Sequence, residues 1–376
     1  MNYFASSKNI CIFVVHIKSA SIKMKKYFVV FACFASFFPL LVSGQDIHFS
    51  QFNLTPLIIN PAQAGAYKNM DIILNYKTQW ASIASPYVDY NTAYKTMMVA
   101  YDQRINQKKW KTKWLSAGVN LSNDKAGDGK MKTMQANGYF GYHTQLSLRS
   151  TLGGALVAGF AHRSIDYRPY AWDEQYVNGA YDPLAQSNEP TDVNSKLGYP
   201  DVGAGVLYQY NKGQMYTTAN DMVIVHSGLA VTHLNKPKYG FYSTGEKLYP
   251  KWTGHADALI GIKNTNVSLM PGFIYMHQGP SAEVLPGCYF RYMLRAESRF
   301  TGFVKGASIM VGTLLRVKDA FIPSVQFEMA EYTIGISYDM NVSGLKSATS
   351  GKGGFEISLR YATPNPFLFK SAASFQ

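Results

Sequence analysis

The stretch of the sequence that comes nearest to a catalytic motif is GFYSTGEK, residues Gly240–Lys247. It is similar to a phosphate-binding loop, in which backbone N–H groups and a lysine hold phosphate oxygens. Glu246 occupies the place where that motif requires the lysine, and no helical pattern follows it. The stretch therefore predicts a polar outer loop rather than a nucleotide site.

The histidines and serines show no spacing that supports a metal centre or an activated nucleophile. His143, His162 and His233 form no paired ligand set and are interpreted as interior or interface side chains. No set of Ser, His and Asp comes with the sharp turn that exposes a nucleophilic serine. We therefore predict no catalytic residue, no cofactor and no metal, and we do not expect an enzyme. A barrel hydrolase is a third possibility, although its catalytic roles cannot be assigned.

Arg316 and Asp319 are the charged pair that stands out, because they lie three residues apart at the end of a predicted strand. They could form a lumen or rim ion pair that positions a plug or a bound protein. They could equally be two solvated rim charges that contribute less than about 1 kcal/mol. The second interpretation is slightly favoured.

The segment 166–200 combines aromatic and acidic residues in a way that is typical of protein-binding surfaces, where Tyr and Trp dominate the binding energy. The alternative is a loop folded over its own barrel as a lid. The candidate partner-binding residues are Tyr170, Trp172, Asp173, Tyr176 and Tyr181.

Near its end the sequence alternates between apolar and polar residues. Glu331–Asn341 carries Tyr, Ile or Met at every second position, and Gly353–Tyr361 carries Phe, Ile, Leu and Tyr in the same way. Successive strand residues point to opposite faces, so each segment has one apolar and one polar wall. Between them, Val342–Lys352 is rich in Ser and Gly and predicts a turn.

Similar segments recur along the chain and give about 14 strands, an even number that is typical of outer-membrane barrels. Charged residues make up only 16 % of the chain, and it contains 27 Tyr and 31 Gly. The sequence therefore predicts an all-β protein, a transmembrane antiparallel β-barrel of the outer membrane. The predicted strands lie near 70–80, 92–104, 111–122, 130–146, 151–165, 201–211, 221–233, 252–263, 266–277, 281–294, 305–316, 321–329, 331–341 and 353–361.

The lengths of the predicted connections support the barrel. Outer-membrane barrels alternate short periplasmic turns with longer outside loops. The two longest connections, 166–200 and 234–251, both follow odd-numbered strands, and those after even-numbered strands are mostly short. We therefore expect both termini on the periplasmic side and 166–200 on the outside.

The N-terminus has the pattern of a cleaved secretion signal. Met24-Lys25-Lys26 is a positive region, Tyr27–Val42 is apolar, and Val42-Ser43-Gly44 is a small-residue cleavage site. Met24 is the preferred initiator. Residues 1–44 hold five lysines and no acidic residue, so cleavage would reduce the net charge from +13 to +8. An exported basic chain is expected to meet lipid headgroups, anionic glycans or acidic proteins rather than nucleic acid.

The expected organisation has four parts, of which the barrel is the largest. A signal peptide at 1–44 precedes an extended N-terminal segment at 45–67, the barrel at 68–362 and a tail at 363–376. The N-terminal segment is too apolar to stay free in water, so we expect it to be ordered against the inner barrel wall. Only Cys288 remains after cleavage, which excludes an intrachain disulfide.

Nearly the whole mature chain resembles the PorP/SprF family of outer-membrane proteins of type IX secretion and gliding motility in Bacteroidetes. The N-terminal residues that carry the resemblance are Phe49, Gln51, Asn60, Pro61 and Gly65. Further motifs are NYKTQW (75–80), WDEQ (172–175), PDVGAGVLY (200–208), GLAVTHLNKP (228–237), GTLLRVKDA (312–320), GISYDMNVSGL (335–345) and GGFEISLRY (353–361). The tail 363–376 departs from the family pattern because it has no Cys-Pro stretch.

The resemblance implies a barrel that helps to export or anchor a large cell-surface protein of adhesin type with a C-terminal sorting domain. It also implies outer-membrane lipid as a neighbour and possible secretion components at the periplasmic side. The alternative is a passive porin or small-solute transporter. A porin needs an open, charged constriction, whereas the predicted inward residues carry little charge and so favour an anchor. The positions considered are Gly335, Ser337, Asn341, Ser358 and Gln326.

Overall fold

The computed structural model contains a closed antiparallel barrel of 14 strands with a short hairpin outside it. The residues described are 46–80, 93–106, 112–127, 131–165, 173–182, 184–185, 196–213, 220–241, 245–296, 305–344 and 346–363. The predicted signal peptide and nearly all of the predicted tail lie outside these residues. No helix among them is long and apolar enough to cross a membrane.

The strands are numbered in chain order, and each barrel strand pairs with its neighbours in sequence except where β5 pairs with β8. They are β1 (Met70–Gln79), β2 (Tyr94–Ile105), β3 (Lys113–Ala126), β4 (Met131–Gln145), β5 (Ser150–Ser164), β6 (Tyr176–Val177), β7 (Ala180–Tyr181), β8 (Lys196–Lys212), β9 (Val223–Thr232), β10 (Lys251–Gly261), β11 (Val267–Gln278), β12 (Ser281–Arg295), β13 (Ala307–Arg316), β14 (Ala320–Met329), β15 (Tyr332–Asn341) and β16 (Lys352–Thr363). The barrel closes where β1 pairs with β16, for example Tyr76 opposite Ile357. The predicted fold class and the 14 strands are confirmed.

The start of β8 is the largest difference from the predicted strands. The sequence predicts a start near 201, whereas the strand begins at Lys196. Gly198 and Pro200 weaken the sequence signal, because both residue types are depleted in strands. Tyr199 is nevertheless buried against the lumen and extends the strand.

The two walls of each strand differ in polarity, as the alternation in the sequence predicts. On β15 and β16 the outward Ile334, Ile336 and Leu359 are exposed apolar side chains. The inward Ser337 and Ser358 are buried. An exposed apolar outer wall around a polar interior is the arrangement of a membrane-spanning barrel.

Aromatic side chains surround the outer wall near both ends of the barrel, where the membrane–water interfaces of such proteins lie. At one end these are Trp252, Phe321, Tyr338 and Phe355, and at the other Tyr142, Tyr208, Tyr292 and Tyr332.

The connections at the two ends differ in length. One end carries 165–195 and 233–250, which are the two longest, and is called the long-loop end. The other end, the short-loop end, carries turns such as 146–149 and 330–331. Because outer-membrane barrels place their longer loops outside, we expect the long-loop end to face the exterior.

Candidate functional site

Residues 46–67, called the lumen segment, pass through the interior of the barrel. The segment begins at the long-loop end, where Asp46 lies beside Lys251 at the start of β10. It ends at the short-loop end, where Arg104 near the end of β2 donates a hydrogen bond to the carbonyl of Ala66. Most of the segment is buried.

The lumen segment is folded into short helical turns rather than extended as predicted. Phe52–Leu54 and Pro61–Gln63 are 3-10 turns, and Pro56–Ile59 is a single α-helical turn. Proline favours the first turn of a helix because its φ is already suitable and its missing N–H is not needed there. Pro56 and Pro61 occupy such positions. The prolines thus exclude a strand and at the same time start these turns.

The carboxylate of Glu356 holds the lumen segment near the long-loop end. It accepts hydrogen bonds from the backbone N–H groups of Ser50, at 2.8 Å, and Gln51, at 2.9 Å. Glu356 is on the inner wall of β16 and has no solvent-exposed surface. Backbone amides are thus bound by a carboxylate from the far end of the sequence, which supplies a charge-assisted anchor for the segment.

The Ser50 hydroxyl lies at the centre of a buried charge cluster. It donates to Asp339 at 2.8 Å and accepts from Arg316 at 2.9 Å and Lys77 at 3.2 Å. Lys77 and Arg316 also form ion pairs with Asp339, at 3.4 Å and 3.2 Å. The cluster joins β1, β13 and β15 to the segment through one small side chain.

Arg316 lies inside the barrel and is only 6 % exposed, so the interpretation as a solvated rim charge is wrong for this residue. Besides Ser50 and Asp339 it contacts Glu283 at 3.4 Å. Asp319 also pairs with it at 3.2 Å, and the side chain of Asp319 is 42 % exposed. A buried arginine needs such partners because an unpaired buried charge is strongly unfavourable.

Asp46 is bound at the long-loop end by two cationic groups. Its carboxylate is 2.5 Å from His233 and 3.3 Å from Lys251. Burial opposes ionisation, but Lys251 and His233 outweigh it and hold the pKa of Asp46 well below its usual range. Burial likewise disfavours the charged form of His233, yet Asp46 and Asp201 raise its pKa to about 9. His233 is therefore a cation at neutral pH.

The middle of the segment fits into spaces left by glycines of the barrel wall. The Asn60 side chain donates to the carbonyl of Val206 at 2.9 Å and lies 3.1 Å from the His255 ring nitrogen. A Cβ atom on Gly205 would be 2.0 Å from the Asn60 side-chain oxygen, and one on Gly228 would be 2.4 Å from its nitrogen. Asn60 therefore requires these two positions to have no side chain.

Gly65 is the main contact at the short-loop end. Its N–H donates to Asp102 at 2.7 Å, and its carbonyl accepts from Arg104 at 2.7 Å and Trp114 at 3.0 Å. Its φ of +56° lies in the left-handed region that favours glycine. A Cβ there would also lie 2.7 Å from that of Ser116.

The five family residues of the N-terminal segment therefore share one location. Phe49, Gln51, Asn60, Pro61 and Gly65 are all buried in the lumen. The prediction did not include the wall residues that contact the lumen segment, namely Lys77, Glu283, Asp339 and Glu356. The strand alternation could have indicated these residues, because charged side chains on a buried wall require partners.

The expectation of a weakly charged lumen is wrong. The five inward positions on which it was based are polar and uncharged, but inward positions elsewhere carry ion pairs. At the short-loop end Arg360 binds Asp71, and Arg291 binds Glu328 at 2.9 Å. These charges are paired within the chain, so they do not by themselves indicate a conducting constriction.

Part of the predicted partner-binding segment forms the hairpin β6–β7 at the long-loop end. Asn178 and Gly179 form its turn with φ of 55° and 78°, the combination that two-residue hairpins need. Tyr176 and Tyr181 pair across it with ring centroids 5.7 Å apart, and both are exposed. Asp173 is exposed in the preceding 3-10 turn. Tyr170 and Trp172 lie outside the described residues.

The three histidines occupy different environments. His143 is buried in the lumen and stacks on Trp114 with centroids 5.2 Å apart. His233 binds Asp46, and His162 is exposed on the outer wall. Within the described part of the chain, no group of three or more His, Cys, Asp or Glu could hold a metal ion.

The residues of the phosphate-loop-like stretch that are described lie in the connection between β9 and β10. Lys238 and Lys247 form an isolated bridge there, and the N–H of Tyr239 donates to the carbonyl of Glu246 at 3.1 Å. No helix follows, since β10 begins at Lys251. The geometry is that of a loop at the long-loop end.

Comparison with known proteins identifies one matching family and several distant folds. A family model described as type IX secretion system membrane protein PorP/SprF matches residues 41–361. No curated protein sequence matches the chain.

The solved structures that the chain is similar to include three barrels at low sequence identity. The P. putida toluene transporter TodX is 7 % identical, with 81 % of this chain and 92 % of that chain covered and a TM-score of 0.43. A Pseudomonas aeruginosa FadL homologue is 10 % identical, with 81 % and 92 % covered and a TM-score of 0.40. The translocator domain of the autotransporter NalP from Neisseria meningitidis is 13 % identical, with 83 % and 96 % covered and a TM-score of 0.32. These likenesses concern the fold alone.

Proposed function

Because the chain belongs to the PorP/SprF family of type IX secretion system membrane proteins, we propose that it is a non-enzymatic outer-membrane barrel that helps to export or anchor a large cell-surface protein. The observation that carries the proposal is the filled lumen. Wall residues bind the lumen segment at both ends and in the middle. Glu356 accepts from Ser50, the carbonyl of Val206 accepts from Asn60, and Asp102 accepts from Gly65. A barrel filled in this way acts through its surfaces.

The passive porin is disfavoured by the same contacts. A porin conducts because water occupies its interior. Here the interior contains folded chain, and charged wall residues such as Arg316 and Arg291 bind that chain or other charged wall residues. Solute passage would require the lumen segment to leave, and many hydrogen bonds and ion pairs would be broken together.

The client protein docks at the long-loop end. The hairpin β6–β7 projects Tyr176, of which 63 % is exposed, with Val177 and Tyr181 beside it. Exposed tyrosines in a structured hairpin are suited to recognition, because their rings supply contact area at low entropic cost. Asp173, Glu174 and Asp182 add negative charge nearby. We propose that other secretion components bind at the short-loop end, which faces the periplasm.

We further propose the division that the sequence predicts, with removal of residues 1–44 on export and barrel formation by 68–362. The lumen segment then follows the new N-terminus at residue 45. Sequencing the N-terminus of protein purified from outer membranes tests this division. A start at Met24 or Met1 would contradict it.

The test of the docking function is a gentle-detergent pull-down of tagged protein from outer membranes, with bound proteins identified by mass spectrometry. We expect a large exported protein in near-stoichiometric amount. Tyr176→Ser with Tyr181→Ser should abolish its recovery, whereas Tyr332→Ser at the short-loop end should not. A barrel that is recovered alone and conducts ions in a planar bilayer would contradict the proposal and support the porin.

A further inference from the structure

Residues 233–241, called the cover segment, follow β9 at the long-loop end. β9 pairs with β8 only over Ala204–Lys212, so the first residues of β8 extend beyond it. The cover segment lies along this extension, where the N–H of Leu234 donates to the carbonyl of Val202 at 3.0 Å. Its start is therefore fixed to the barrel wall.

Arg163 near the end of β5 holds the middle of the cover segment over the mouth of the lumen. It lies two residues after the buried Ala161, so its side chain points to the interior. Its guanidinium donates to the carbonyl of Tyr239 at 2.9 Å, and its Cζ atom lies 5.1 Å from the ring centroids of both Tyr239 and Phe241. Such cation–π contacts are attractive. Because an inward side chain binds it, the cover segment lies across the mouth rather than projecting away from it.

Asp46, at the start of the lumen segment, binds both ends of the connection between β9 and β10. His233 is the first residue after β9, and Lys251 is the first residue of β10. The Asp46 carboxylate is 2.5 Å from His233 and 3.3 Å from Lys251. The other ring nitrogen of His233 lies 2.9 Å from Asp201 of β8. The cover segment and the lumen segment are thus joined through one carboxylate.

The burial of these cations links the two segments energetically. His233 is 3 % exposed and Lys251 is 7 % exposed. Withdrawal of Asp46 would take a carboxylate from both while they stay buried, which is unfavourable for a cation. Water replaces the carboxylate only when the cover segment moves aside. In the same way, lifting of the cover segment takes His233 away from Asp46, so each movement makes the other easier.

We propose that the cover segment is a lid on the lumen mouth at the long-loop end, and that Asp46 couples this lid to the lumen segment. The lid opens when the start of the lumen segment is displaced. Opening exposes the rings of Tyr239 and Phe241 and hydrates the upper lumen in one step. Thermodynamic coupling of this kind is reciprocal, so an event at the mouth also loosens the lumen segment. The proposal does not depend on which protein docks at the hairpin.

Hydrogen–deuterium exchange of the purified full-length barrel in detergent tests the coupling. The amides of Leu234, Lys236 and Tyr239 are hydrogen-bonded in the closed structure, so their exchange reports on the lid. The amides of Ser50 and Gln51 are bound to a wall carboxylate, so their exchange reports on the lumen segment.

Two variants approach the coupling from opposite sides. Asp46→Ala removes the shared carboxylate and should accelerate exchange of the lid amides roughly fivefold or more, the lower end of typical coupling between sites. Arg163→Gln releases the middle of the lid. It should accelerate exchange of the lid amides and also, by reciprocity, exchange of Ser50 and Gln51.

Two controls match these variants. Asn53→Ala removes two hydrogen bonds to Gln326, of 2.8 Å and 3.1 Å, from the β14 side of the lumen segment. Arg295→Gln removes an arginine that donates to the carbonyl of Lys305 at the short-loop end. Both controls should leave exchange of the lid amides at the wild-type rate. Unchanged lid exchange in Asp46→Ala would overturn the proposal, as would equal acceleration by Asn53→Ala or an effect of Arg163→Gln that is confined to the lid.

Discussion

At the scale of single residues, Arg316 shows how this barrel keeps charge in its interior. Four oxygen-bearing groups surround its guanidinium, from Ser50, Glu283, Asp319 and Asp339. Each of these contacts offsets part of the free energy that the guanidinium loses when burial removes its hydration water. One of the four belongs to the lumen segment, so the cluster stabilises both the barrel wall and the position of the segment.

Replacing Arg316 with Met should destabilise the protein by roughly 3–5 kcal/mol, because Glu283 and Asp339 would stay buried without their main cation. Thermal unfolding in detergent micelles measures the change. Arg149→Met removes an exposed arginine from the turn at the short-loop end and should alter stability by no more than about 0.5 kcal/mol. Equal melting of the two variants would contradict the buried-cluster account.

The Asp46–His233 pair predicts a loss of stability at alkaline pH. Burial alone would lower the pKa of His233, but Asp46 and Asp201 raise it from 6.5 to about 9. A raised folded-state pKa contributes stability that is complete below pH 6.5 and lost as the pH rises through 9. One pKa unit corresponds to about 1.4 kcal/mol, so we expect a loss of roughly 2–4 kcal/mol.

Melting curves of the wild type and His233→Gln between pH 6 and 10 test this prediction. The gap in stability between them should be largest near pH 6 and should close by pH 10. Effects of other titrating groups are common to both proteins and cancel in the difference. A gap that does not change with pH would show that the charge of His233 is not involved.

At the scale of elements, the lumen segment depends on glycines in the strands that surround it. A Cβ on Gly335 of β15 would be 2.2 Å from the Gln51 side-chain oxygen, and one on Gly205 of β8 would be 2.0 Å from the Asn60 side-chain oxygen. The outward Gly138 of β4 and Gly154 of β5 have no such restriction. A Cβ on Gly138 would have its nearest neighbour at 3.7 Å, and one on Gly154 at 3.9 Å.

The double variant G205V/G335V should therefore displace the lumen segment while the barrel remains closed. We expect destabilisation of roughly 1–3 kcal/mol per site from overpacking, together with ion conductance in planar bilayers. The wild type and G138V/G154V should be silent. A silent G205V/G335V barrel with unchanged melting would mean that the segment adapts to the added side chains.

At the scale of the whole molecule, the two ends of the barrel differ in their connections and in the part of the lumen segment that they hold. The long-loop end carries the hairpin and the start of the lumen segment. The short-loop end carries tight turns, among them Gln145–Ser150 with Leu148 96 % exposed. This asymmetry requires one orientation in the membrane.

Surface labelling of intact cells tests the orientation. In a Cys288→Ser background, Ala180→Cys in the hairpin should react with a membrane-impermeant maleimide. Leu148→Cys should react only after the outer membrane is permeabilised. The other two cysteines, Cys11 and Cys33, lie in the predicted signal peptide. The reverse labelling pattern would place the long-loop end in the periplasm.

The sequence alone predicts the barrel, because strand alternation is a local property with a period of two residues. The alternation in the sequence places Ile334 and Ile336 on the apolar outer wall and Ser337 and Ser358 on the polar inner wall. The sequence also predicts that the connections at the two ends differ in length. Local chemistry predicts less about the hairpin, although Asn178-Gly179 is a turn signal that could have identified it.

Only the tertiary structure decides which inward residues meet. Ser50 and Glu356 are 306 positions apart and become partners because the barrel closes around the lumen segment. Burial of Arg316 beside Glu283 and Asp339 likewise depends on register between strands. A shift of one residue in that register would move each of these side chains to the opposite wall. The contacts between the lumen segment and the wall therefore depend on barrel closure and strand register. The barrel fold itself follows from the alternation of apolar and polar residues in the sequence.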